Sequence, residues 1–538
     1  MIIIGVAYGI SEHKNKMRWR VAMILKRSVS LIDFVVPIIF GLSSLTYAEG
    51  SPMQTLSDRE LSDVNGQALM SLSYLAPTDN ANPMKNISNN NVGFYKLGLE
   101  ADVELNANIQ NVQLGCGGFN GGGACDIDIK NLSLSGLPDG YDNKGNPIYN
   151  AGRPSKSAVL TNPFIEFAIT NPNSASTREV KGFRLSAESI NALLTTGLNN
   201  SANPSSTDGI QTLSGFMRIA GTTGTAKTQQ TTFGLTPNQQ LGGVARLCAG
   251  ILGTCLLADT DINFVSKPTS TGSTGITVPS VSTNFNINPF TINGVRQTKA
   301  TVNDIRTVIN KIPIAADSAG QYPSSLFTND VLEVDLNCNN VSGRGCGLIT
   351  ALKDTAKFKM GQDSAITNLN MKIDFEQSLS MFHNIPLTGT GGYLSVQDIA
   401  LLWPGAFVSS NDVTKTSLST ISTNSDVAQP GWWMSFAKPV ELGHLDVTNP
   451  IVLDDNILGQ VAQRVTQTLT PDYVNKPQAK ATSLSAIVSL LADNPLTSKI
   501  VADLNTASAS NPVYFKLTNQ KLGNQEVVAN CYGSLRFC

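Results

Sequence analysis

Charge is scarce in this sequence. Asp, Glu, Lys and Arg together supply 14% of its 538 residues, and the formal net charge is −2. Beyond Arg27 there is no run of Lys or Arg. A nucleic-acid interface needs such a cluster to release counterions from phosphates, so nucleic acid is not expected as a partner. Histidine is scarcer still. Of three, only His383 ("MFHNIPL") and His444 ("ELGHLDV") lie beyond the N-terminal leader. There is no G-x-S-x-G, so nucleophilic hydrolysis has no motif behind it. "GTTGTAKT" (221–228) lacks the adjacent Gly-Lys-Thr of a phosphate loop and reads as a Gly/Thr turn. No cofactor motif is present. Aromatic residues make up 7%, poor material for the two interfacial girdles of a transmembrane β-barrel. No segment after the leader reaches the ~20 apolar residues of a helical span.

What is present begins with the leader itself. Residues 1–48 read as a signal peptide: Lys14, Lys16, Arg18, Arg20, Lys26 and Arg27 precede an apolar run from Val29 to Leu45. Thr46-Tyr47-Ala48 places small residues at −3 and −1, so cleavage is expected between Ala48 and Glu49. A start at Met23 gives a leader of more ordinary length. Asp33 inside the apolar run argues against a retained membrane anchor. The eight cysteines fall into four close pairs: Cys116/Cys125, Cys248/Cys255, Cys338/Cys346 and Cys531/Cys538. None has the C-x2-C spacing of a zinc site, and an oxidising compartment makes each pair a local disulfide.

The strongest periodicity is "YKLGLEADVELNANIQ". Tyr95, Leu97, Leu99, Ala101, Val103, Leu105, Ala107 and Ile109 alternate with polar residues or Gly. This predicts one two-faced strand of ~50 Å at ~3.3 Å per residue. Its phase flips at Asn111, which predicts a β-bulge. "IQNVQL" (109–114), "IKNLSL" (129–134) and "ITNLNM" (366–371) share an I-x-N-φ-x-φ pattern, where φ is an apolar residue. The first two flank the Gly-rich "CGGFNGGGAC", predicting a long hairpin with a disulfide-closed tip. The Cys248/Cys255 and Cys338/Cys346 pairs sit similarly between strand-like runs.

Helices are expected over 57–65, where Ser57 and Glu60 form a capping box between Leu56 and Leu61, and over 186–197, 301–312, 483–495 and 496–505. The fold class is therefore mainly β: long amphipathic antiparallel strands in an elongated sheet or sandwich, with a few short helices and disulfide-closed hairpin tips. The regions expected are the leader (1–48), an N-terminal β-rich region (49–265), a Ser/Thr-rich linker or loop (266–300), a second β-rich region with one helix (301–445), and a C-terminal region with a helical pair and the last disulfide (446–538).

Candidate sites are few. Asp126 with Asp128, and Asp259 with Asp261, place carboxylates at i,i+2 on a strand face. "PDGYDNKGN" (138–146) is an oxygen-rich turn. These are weak calcium candidates, because none completes the loop pattern with a closing Glu. "GWWMSF" puts Trp432 and Trp433 on opposite faces of a strand, and Phe119 stands at the "GGFNGGG" tip. Trp432, Trp433 and Phe119 are the candidate partner contacts.

Four segments carry a resemblance: "LSDRELSDVNGQALMSL", "NPFIEFAITN…REVKGFRLSAESINALL", "YLSVQDIALLWPGA" and "GWWMSFAKPVELG". Together they resemble a family of secreted proteobacterial proteins described as surface-filament, pilus-associated or adhesin-like. The resemblance spans roughly residues 55–445 and carries no catalytic signature. It implies an exported, β-rich surface or filament-associated protein. The reading adopted is a non-enzymatic structural or interaction protein of the bacterial cell surface or outer membrane, with protein partners at the surface or in a filament. Two alternatives stay open: a periplasmic or outer-membrane carrier of lipid or another apolar ligand, and a secreted glycan hydrolase.

Overall fold

The computed structural model describes residues 3–7, 19–25, 70–87, 91–250, 252–255, 258–268, 274–337, 355–389, 392–470, 472, 478–481 and 494–531. The chain is mainly β, in several sheets, with two α-helices among the described residues. No helix among them is long and apolar enough to cross a membrane.

The largest sheet has thirteen strands. Eleven of them are β1 (Met70–Leu75), β2 (Val92–Leu99), β3 (Asp102–Leu114), β4 (Ile127–Ser135), β5 (Ala158–Thr170), β6 (Glu179–Thr196), β7 (Gly209–Ile219), β8 (Phe290–Gln297), β9 (Asn384–Thr388), β10 (Gly392–Gln397) and β11 (Gly431–Val440). The other two, Ile3–Ala7 and Trp19–Leu25, fall within the expected leader, and Trp19–Leu25 runs parallel to Val103–Ile109 of β3.

The alternation predicted from Tyr95 onward is real but split. β2 and β3 lie end to end along one edge of β5, and Glu100–Ala101 interrupts them opposite the left-handed Asn162, whose N–H reaches the Ala101 carbonyl. β4 and β5 in turn share one lane between β3 and β6. The chain leaves that lane at Ser135 and re-enters at Ala158. Gly136 closes the neck: its N–H donates to the Lys156 carbonyl, and a Cβ there would stand 2.7 Å from the Ser157 carbonyl oxygen. Arg153, only 1% exposed, fastens the excursion inward. Its guanidinium donates to Ser135 Oγ, Thr195 Oγ1 and the carbonyls of Leu193 and Val528.

The predicted bulge at Asn111 is not there. The β3–β4 register runs through it without a shift, and Asn131 on the partner strand takes φ +54° instead. Asn368, in the third copy of the motif, does the same at φ +55°. Asparagine enters the left-handed region more readily than other side chains, so the motif switches strand face without inserting a residue.

One side of the large sheet is covered. Segments 76–87 and 398–430 lay Met84, Ile87, Leu401, Leu402, Trp403 and Val427 over Phe94, Phe216 and Trp433. The other main core takes in Ile127, Leu213, Met217 and Phe436 of the large sheet and continues beyond it. There an eight-stranded sheet, which includes Gly242–Ala249 and Ala258–Ser266, faces a four-stranded sheet built on Lys299–Pro313 and Ala365–Ser378. Helix α1 (Asp455–Thr468) closes one side of this layer, capped by Asp454, whose carboxylate accepts the Ile457 N–H.

Several expected helices are strands. Residues 186–196 lie in β6, 301–312 lie in Lys299–Pro313, and 496–505 hold the strands Leu496–Ser498 and Val501–Asp503. Tertiary pairing overrides local helix propensity in each. The 266–300 stretch is not a bare linker. It carries Gly275–Val278, Ser282–Ile287 and β8, and it buries Ile276, Val278 and Phe285. Strands from all regions interleave in the sheets, so the expected regional boundaries do not mark separate bodies. The helices expected over 57–65 and 483–495 lie outside the described residues, except Pro495 and Asn494 at the end of the second.

Candidate functional site

Two disulfide-closed hairpin tips stand out from the sheets. The Cys116–Cys125 disulfide closes the β3–β4 connection, and Cys248–Cys255 closes the loop between Gly242–Ala249 and Ala258–Ser266. Short loops of this size are worth about 2.5 kcal/mol each on the loop-entropy estimate. Such bonds belong to an oxidising compartment. Cys531 is also disulfide-bonded, while Cys338, Cys346 and Cys538 lie outside the described residues.

The first tip is built on Asp126. Its carboxylate is buried and accepts from Asn120 Nδ2 at 2.9 Å, Arg296 Nε at 3.1 Å and the Trp432 N–H at 3.0 Å. Gly115 and Gly431 make room for it: a Cβ at either would fall 2.2 Å or 2.4 Å from Asp126 Oδ2. Arg296 also donates to the Gly121 carbonyl, and Asn120 to the Pro430 carbonyl. The base of the tip is thereby fixed to β8 and β11. Phe119, next to the anchored Asn120, keeps 64% of its surface exposed. Left-handed Gly117, Gly121 and Gly123 allow the tight path on either side of it.

The second tip presents Leu252, 93% exposed, with φ +57° followed by Gly253 at +83°. A left-handed leucine costs about 1 kcal/mol, and here no packing offsets it. The sequence reading missed Leu252; an apolar residue beside Gly inside a seven-residue Cys spacing was the available signal.

The carboxylate candidates do not converge. Asp128 pairs with Lys130 at 2.9 Å and accepts from Gln113. Asp261 stands opposite Arg246 in the strand register, and the side chain of Asp259 is not among the described ones. In the 138–146 turn, Asp142 takes the N–H groups of Lys144 and Asn146, and these bonds with the Asn146 amide hold its carboxyl below the usual range. Among the described residues no three His, Cys, Asp or Glu side chains gather as a metal site. His383 is buried with Nδ1 against the Thr196 carbonyl, and burial lowers its pKa. His444 lies between the hydroxyls of Thr223 and Thr225.

The two tryptophans divide as their alternation requires: Trp433 is fully buried and Trp432 partly exposed. Trp433 belongs to a buried polar knot. Its Nε1 donates to Asp426, which also accepts from Tyr393 and Ser435. Burial pushes the Asp426 carboxyl up to about 6, against the pull of those three donors. The knot pins the covering 398–430 segment to the sheet.

Compared with known proteins, the chain matches no family model, no curated protein and no solved structure. An apolar cavity of about 100 Å³ lies between the eight- and four-stranded sheets and α1, lined by Phe264, Ile309, Phe358, Met371 and Leu458 among others. Ligand pockets usually enclose about 300 Å³ or more. The cavity is a gap in a core of that size class, not a cleft with converging polar groups.

Proposed function

We propose that the chain is an exported, non-enzymatic structural and interaction protein of the bacterial cell surface, engaging a protein partner through its hairpin tips. The observation that carries this reading is that each described disulfide-closed tip presents an exposed apolar side chain, Phe119 on the first and Leu252 on the second, and that the base of the first is fixed by Asp126. A preorganised apolar anchor loses little entropy on binding, which is how a small contact gains affinity. Disulfide closure and the Asp126 cluster supply that preorganisation. The membership in a surface-filament or adhesin-like family implied by the sequence resemblance belongs to the same proposal.

Protease shaving of intact cells tests the location. The account expects external protease to remove the chain while a periplasmic marker survives. Survival of both proteins, with loss of both after outer-membrane permeabilisation, places the chain inside and overturns the surface reading.

The carrier alternative rests on the apolar cavity between the smaller sheets. Native mass spectrometry after gentle purification tests it. A co-purified apolar ligand supports a carrier, and a bare mass opposes one.

A further inference from the structure

The large sheet has a second face, opposite the one that segments 76–87 and 398–430 cover. Strand register places two apolar rows across it. One row is Leu72, Leu97, Ile165, Leu185, Leu394 and Met434. The next is Tyr74, Tyr95, Phe167, Phe183, Val396 and Trp432. All twelve keep surface open to solvent, from partly exposed in the middle strands to 77% at Leu72 on the edge. Leu394, Trp432 and Met434 at one end touch the neighbouring core; the residues on β1, β2, β5 and β6 belong to neither core. Tyr74 stacks on Tyr95 at 4.3 Å, and Phe167 tilts against Phe183 at 5.3 Å, so the rows are packed side by side and bare on top.

The charged residues nearest the rows are paired off them: Lys181, at the end of the second row, pairs with Glu179 and Asp398. Glu166 and Arg184 point to the covered side, where they pair at 2.6 Å. Neither row contains an acid, a base or an amide; the two tyrosine hydroxyls and the indole N–H of Trp432 are their polar groups. A charged partner finds nothing to pair with here, and a glycan lacks the polar side chains that would orient it beside the rings. An anionic lipid surface lacks basic residues on the face.

We propose that this face docks on the same face of a second copy of the chain. An uncharged sheet face is self-complementary about a two-fold axis, and two such faces pack at about 10 Å as in a sandwich. The area is adequate. Six strands about 4.8 Å apart, with these two rows and their flanking residues, give a footprint of roughly 500 Å². That lies toward the upper end of the ~300–600 Å² of the largest patch on an ordinary monomer, and two such faces together bury about 1,000 Å², the lower bound for a specific interface. Leu72 and Tyr74 on β1, at the sheet's end, would then be covered by the mate.

The inference stands on the sheet face and not on the hairpin tips, so it and the tip reading fail separately. Sedimentation of the full exported chain tests it, with Ile165→Lys at the centre of the face and Leu72→Lys on the exposed edge, where misfolding is not at stake. The wild type is expected to form a dimer at tens of micromolar, and each substitution to raise the dissociation constant about tenfold or more with unchanged circular dichroism. Phe119→Ser leaves the dimer intact. A wild-type monomer at that concentration overturns the proposal and assigns the face to another occupant, the chain's own residues 49–69 among them. A dimer that neither lysine weakens also overturns it. So does flotation of the wild type with neutral phosphatidylcholine vesicles that Ile165→Lys abolishes, which assigns the face to lipid.

Discussion

Asp126 Oδ2 accepts the backbone N–H of Trp432 at 3.0 Å, joining residues 306 apart in sequence. This contact ties a disulfide-closed hairpin to the first residues of β11, and Arg296 completes the junction from β8. A carboxylate that looks like half of a cation site in sequence is, in the fold, the fastening of the tip.

Removing that fastening should be costly. Asp126→Ala leaves Arg296 without its partner in a largely buried setting, a loss of about 3 kcal/mol by the usual cost of breaking such pairs. Urea unfolding measures it. Limited proteolysis should then cut within residues 116–125, where the wild type resists.

Phe119→Ser should change stability by less than about 0.5 kcal/mol, because the side chain touches solvent. Leu252→Asn should be neutral or stabilising by up to about 1 kcal/mol, since asparagine tolerates the left-handed backbone better. Thermal unfolding checks both. A large destabilisation by either would return these residues to a folding role.

The Asp426 knot makes stability depend on pH. Its folded pKa is raised to about 6 by burial, above the ordinary value of an unfolded aspartate. The folded state therefore holds the proton more tightly, and the contribution is present below about pH 4 and lost as pH rises through about 6. Unfolding midpoints of the wild type and Asp426→Asn between pH 4 and 7.5 should show a difference that shifts against the wild type as pH rises through that window. A pH-independent difference would remove the carboxyl from the explanation.

Arg153 binds four neutral acceptors rather than a carboxylate, and burial lowers its pKa to about 10. Arg153→Met should cost about 2–4 kcal/mol, because Ser135, Thr195 and the Val528 carbonyl lose a charged donor together. Hydrogen exchange should quicken across 136–157 first, since Arg153 holds that excursion to β6.

Much of the fold is legible as alternation, and each departure has a physical cause. In Lys299–Pro313 the apolar residues Val302, Ile305, Ile309 and Ile312 sit at helical spacing. Yet the buried pattern is period two with two breaks: a register shift between Val302 and Ile305, where Asp304 takes φ +62°, and a change of buried face after Ile309, opposite the left-handed Asn368, with the register unbroken. Two breaks turn steps of two into steps of three, which imitate a helix. In β6 the run from Ala192 to Thr196 is buried on both faces, and "NALLTT" loses its alternation. The helix α1 carries ordinary signals, Asp454 as cap and apolar residues at Ile457, Leu458, Val461 and Val465, but lies outside the helices expected for the C-terminal region. Of the candidate contacts, Phe119 was readable from its Gly-rich, disulfide-closed setting. The bare sheet face was not, because it exists only once six strands from distant segments are in register.

The central claim is that the tips engage a partner outside the cell. The direct measurement is binding of purified, labelled protein to cells lacking its gene, comparing the wild type with the Phe119→Ser, Leu252→Asn double variant by flow cytometry. The account predicts saturable binding by the wild type and at least a tenfold loss for the double variant, with both proteins equally folded. Equal binding by the two would contradict it.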